Sequence, residues 1–156
     1  MRSEVHMMEF IVKVAVLSLV FALMLRYRKP LAARIKRIPL PLWLLYLLTA
    51  TPLIIFEEDI NCIASWCGTV LIPPTLLYIM IQLMVLYIVC RLLKVKRITI
   101  PLIIFCVLGI AWEYFAGDLG RAQLPLLWMV FFYCWVAISY MFVALLPLSL
   151  LEEKDA

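Results

Sequence analysis

The stretch FEEDINCIASWCG, residues 56–68, sets three consecutive acids, Glu57, Glu58 and Asp59, ahead of two cysteines five positions apart, Cys62 and Cys67. A second stretch, LGIAWEYFAGD at 108–118, contributes Glu113 and Asp118. Carboxylates grouped in this way suit proton transfer, or the binding of a hard cation through oxygen ligands. A cysteine pair suits a structural disulfide or thiol exchange. The single histidine, His6, argues against a zinc or copper centre, which draws on several imidazoles or thiolates. No EF-hand spacing, HExxH helix or paired CxxC occurs in the sequence, so no metal site and no cofactor are expected.

These residues interrupt a chain that is otherwise strongly apolar. Of its 156 residues 67% are hydrophobic and 15% charged, with a mean hydropathy of +1.10. A soluble domain carries about 45–50% apolar residues. The composition predicts an integral membrane protein, and its length leaves no room for a separate soluble domain, because each crossing takes about 20 residues. Apolar runs bounded by charges or by Gly/Pro/Asp clusters predict five spans, at approximately 7–25, 40–56, 72–93, 98–116 and 124–148. The period-2 alternation of an outer-membrane barrel is missing, so the spans must be helices that satisfy their own backbone groups. The expected fold is all-α: a polytopic transmembrane helical bundle, a single integral membrane domain over 1–156.

Prolines mark where helices begin. Pro39 and Pro41 precede the second span, Pro73 and Pro74 fall in the first turn of the third, and Pro101 and Pro125 open the fourth and fifth; proline at a first turn forfeits no intrahelical bond. Pro52 lies inside the second span and should kink it, freeing a carbonyl near Leu48 for Thr49 or Thr51 to satisfy. The first span is the least apolar. Only Val14 to Leu25 is free of charge, so Glu9 and Lys13 must sit near an interface, four apart in the favourable order for a helical ion pair. A cleaved signal peptide is not expected, because Glu4, Glu9 and Lys13 spoil its charge pattern and the run ends in RYRKP.

Charge sets the expected orientation. Arg26, Arg28, Lys29, Arg34, Lys36 and Arg37 lie between the first two spans, and Arg91, Lys94, Lys96 and Arg97 flank the next even connection, with no acid in either. Short basic loops stay cytoplasmic, which places the N-terminus outside and the C-terminus cytoplasmic. The protein is therefore expected in a cell membrane, by default a prokaryotic plasma membrane. Its net charge of +4 calls for no nucleic acid, since anionic lipid headgroups account for it.

With this topology Glu4, His6, Glu9, Glu57, Glu58, Asp59, Cys62, Cys67, Glu113, Asp118 and Arg121 all map to the outer side. A structural reading makes the acids solvated helix ends, and it is favoured for Asp59, Asp118 and at least one of Glu57 and Glu58. Glu113 stands apart. It lies one turn before Gly117, at the hydrocarbon edge, with Arg121 or Lys13 as expected partners. The Cys62 and Cys67 pair admits a disulfide, free thiols or redox catalysis, although its spacing is CxxxxC and not CxxC. Within the spans, Gln82 is the residue best suited to a buried polar contact.

The function these features support is that of a non-enzymatic multi-pass protein, an accessory or structural subunit of a membrane complex. Its expected partners are the lipid bilayer and either another membrane protein or further copies of itself. Two alternatives stand beside it: a small membrane enzyme or carrier using the carboxylates Glu57, Glu58, Glu113 and Asp118, and a thiol-disulfide protein using Cys62 and Cys67.

Overall fold

In a computed structural model, which describes residues 2–61, 72–115 and 125–152, the described chain is all-α, with five helices and no strand. They are α1 (Arg2–Ile35), α2 (Leu42–Asn61), α3 (Ile72–Leu92), α4 (Thr99–Phe115) and α5 (Leu126–Ser149). Proline starts α2 to α5 as expected. The Pro41 carbonyl accepts the first helical bonds of α2, from the Leu44 and Leu45 amides, and the Pro125 carbonyl accepts that of Met129 in α5. Pro73, Pro74 and Pro101 sit in the first turns of α3 and α4. The turn after α3 is closed by two bonds, Val95 N–H to Cys90 and Lys94 N–H to Arg91, with Lys94 in the left-handed region at φ 48°.

Helix α5 is the centre of the bundle, packing against α4, α2 and α1, while α3 is held mainly by α2. Every residue from Phe142 to Leu150 is buried. In a chain this apolar the core face is marked by spacing along each helix. Tyr46, Ala50 and Ile54 form the buried stripe of α2; Ile79, Leu83, Leu86 and Cys90 form that of α3; Phe105 and Gly109 form that of α4. Small residues at Ala50 and Gly109 let backbones approach, as they do where helices associate without water to drive them together.

Two boundaries differ from expectation. Helix α1 continues to Ile35, ten residues past the expected end of its span, so the basic RYRKPLAARI segment is helix and not loop. Pro30 removes only one hydrogen bond, while Ala32 is buried in the core and Arg28 is tied to Glu152, so tertiary contacts hold the extra turns. Helix α2 likewise runs on to Asn61, and Pro52 lies within it. The hydroxyls near Pro52 do not serve the Leu48 carbonyl. Thr49 Oγ1 donates to the carbonyls of Leu45 and Tyr46, both at 2.9 Å, and Thr51 Oγ1 to that of Leu47 at 2.9 Å.

Among the described residues one helix, α5, is long and apolar enough to cross a membrane, with a mean hydropathy of 2.2, and half of it is buried against its neighbours. The apolar stretches Leu76–Leu92 and Thr99–Phe115 are shorter. Helix α2 ends in three acids and α1 carries Arg26, Arg28 and Lys29 beyond its apolar centre, which shortens the charge-free length of each.

Candidate carboxylate site

The alternating helix directions bring the ends of α2 and α4 to the side of the bundle from which α5 starts. There the acids are not equivalent. Glu57 continues the Tyr46–Ala50–Ile54 stripe of α2 and is 5% exposed; Glu58 and Asp59 are half-buried. Glu57 is therefore not a solvated helix end, because the helical period turns it toward α5; the expectation asks for a solvated end at only one of Glu57 and Glu58. Glu113 is half-buried and lies four residues beyond Gly109, on the stripe that α4 presents to α5.

Tyr140 of α5 joins the two groups. Its ring lies directly against Gly109 and packs on Phe105 at 5.4 Å between ring centroids. Its phenol is within electrostatic reach of Glu113, Glu57, Glu58 and Tyr78. Glu58 is in turn within reach of Glu113, so two carboxylates from different helices face one partly desolvated region. On α3, Tyr78 stacks on Trp112 at 3.9 Å between centroids and 26° between planes, next to Glu113. Gln82 Nε2 donates to the Tyr78 hydroxyl one turn away, so the contact expected between helices is made within α3. The Gln82 carbonyl oxygen is buried and has no hydrogen-bond partner among the described residues.

The register of this cluster along α5 decides its character. Tyr140 is the fifteenth of the 24 residues from Leu126 to Ser149, about 21 Å from one end of α5 and about 14 Å from the other at ~1.5 Å per residue. Phe142, two residues on, packs on Phe56 with ring centroids 5.8 Å apart, which brings the Glu57 segment to the same level. The carboxylates thus stand beside the middle of α5, while its first turns, with Leu126 and Leu127 about four-fifths exposed, reach well beyond them.

Of the other candidate residues, Asp118, Arg121, Cys62 and Cys67 lie outside the described residues, as do the side chains of Glu4, His6 and Glu9. Cys90 and Cys106 are buried free thiols and Cys134 an exposed one. No group of three or more His, Cys, Asp or Glu side chains able to hold a metal occurs among the described residues. Tyr78 and Tyr140 are the members of the cluster that sequence reasoning missed. The Tyr78–Gln82 spacing of four was the available signal for one, whereas Tyr140 sits unmarked in an apolar run.

No family model, curated protein or solved structure matches this chain.

Proposed function

We propose that this chain is a multi-pass integral membrane protein whose five helices all cross a cell membrane, acidic end outside and basic end cytoplasmic, and that it acts as an accessory subunit or by self-association. The observation that carries the reading is its outer surface. All five helices turn large apolar side chains outward: Leu19 on α1, Leu48 on α2, Leu77 on α3, Ile103 on α4 and Leu127 on α5 are each more than half exposed. A water-soluble helix bundle shows a polar face there, and monomers rarely expose contiguous apolar surface on this scale. Lipid or another apolar chain covers such a surface without penalty. The orientation is supported by the Lys and Arg side chains gathered at one end, and Trp43, Trp112 and Trp128 are half-exposed near helix ends, where interfacial aromatics sit. Purified in several mild detergents, the protein should migrate as an oligomer or with a bound partner. A lone monomer in all of them would count against the subunit role.

A second reading is favoured by the convergence of Glu57, Glu58, Glu113 and Tyr140 beside the middle of α5. Acids at membrane depth are costly, and they mark proton or ion pathways more often than structure. On this reading the cluster carries protons, and neutralising Glu113 to Gln abolishes dye-reported proton flux in proteoliposomes while leaving thermal stability near native. Flux equal to that of empty vesicles in the unmodified protein would remove this reading.

A further inference from the structure

At the end of the bundle where α1 and α5 finish, α1, the start of α4 and the end of α5 line a half-open pocket of about 720 Å3. That is the size of sites that hold small molecules, roughly 300–1,000 Å3. Its wall includes Lys29 and Lys36 of α1 and Lys96 and Arg97 just ahead of α4. Between those lysines α1 turns the compact residues Pro30, Ala32 and Ala33 toward it, which leaves the space open.

Among the described residues one carboxylate, Glu152, also lines the pocket, and it is already engaged. Arg28, which is not part of the wall, holds it at 2.9 Å, and Lys36 Nζ donates to the Glu152 backbone carbonyl at 2.8 Å. Among the described residues, four cationic side chains from two parts of the chain line one space with one acid, Glu152, which Arg28 engages from behind. Thr99, the first residue of α4, opens on the same space, so the helix presents its partly positive N-terminal end to it. A multivalent anion in this space would be attracted by several cations at once and by the helix end.

The geometry points to a binding site for the phosphate headgroup of an anionic membrane lipid. Phosphate matches the charge and the donors, and exposed apolar residues close in sequence to the lining favour a lipid over a free ion: Ile100 beside Thr99 is 64% exposed, and Ile38 and Leu40 after Lys36 are exposed as well. Acyl chains lying over these residues would cover apolar surface while the headgroup entered between Lys36, Lys96 and Arg97. The inference rests on the membrane reading, because only a chain at a bilayer surface meets such a lipid.

The test titrates the full-length protein in mild detergent with dioctanoyl phosphatidylglycerol, dioctanoyl phosphatidylcholine and inorganic phosphate, reading bound ligand by native mass spectrometry and the thermal midpoint. Saturable binding of phosphatidylglycerol is expected, with a raised midpoint and little effect of the other two. The double variant Lys96→Gln/Arg97→Gln should weaken it about tenfold or more. Arg34→Gln/Arg37→Gln, which removes equal charge outside the cavity, should leave it nearly unchanged. Equal loss in both variants, or no saturable binding, overturns the site. Binding of inorganic phosphate as tight as that of the lipid overturns the lipid assignment. A protein that stays dispersed without detergent fails the membrane reading itself, a result separate from every binding arm.

Discussion

Gly109 of α4 and Tyr140 of α5 occupy each other's space: a Cβ built at position 109 would overlap three carbons of the tyrosine ring. The missing side chain is what lets α5 set Tyr140 between the acidic ends of α2 and α4. Gly109→Ala should therefore destabilise the bundle by about 1–3 kcal/mol, the usual cost of overpacking, despite the better helix propensity of alanine. Reversible unfolding in detergent measures the loss. Adding Tyr140→Leu should restore part of it, and additive losses in the double variant would show that the two residues do not share a contact.

The turn after α3 offers a change in the opposite direction. Lys94 holds φ 48°, a conformation that costs a side-chain-bearing residue about 1–2 kcal/mol and glycine almost nothing. Lys94→Gly should raise stability by about 1 kcal/mol, less the extra entropy of the unfolded chain. A lower unfolding midpoint would show that the lysine side chain contributes contacts that outweigh its backbone strain.

The helix starts were legible in the sequence because proline acts locally, at Pro41, Pro101 and Pro125, through a missing N–H that a first turn does not use. The end of α1 was not. A run of Arg and Lys reads as a loop by composition, yet Arg, Lys, Leu and Ala are good helix formers, and what holds them helical is the distant Glu152, 124 positions from Arg28.

The candidate site was legible in its residues and illegible in its depth. Glu57, Glu58 and Glu113 could be named from the sequence, and the spacing from Tyr46 through Ala50 and Ile54 to Glu57 already placed that acid on one face. Which face was core could not be read, since apolar residues surround all of α2. Only the position of α5 at the centre of the bundle fixes it, and with it the role of Tyr140.

The central claim is that the helices cross a bilayer in alternation, and impermeant-maleimide labelling in intact cells tests it most directly. Four single-cysteine proteins are needed on an otherwise cysteine-free background: Arg37→Cys, native Cys62, Lys96→Cys and Arg121→Cys. The account predicts that positions 62 and 121 are labelled in intact cells, and that 37 and 96 are labelled only after permeabilisation. Labelling of all four under the same condition would contradict it.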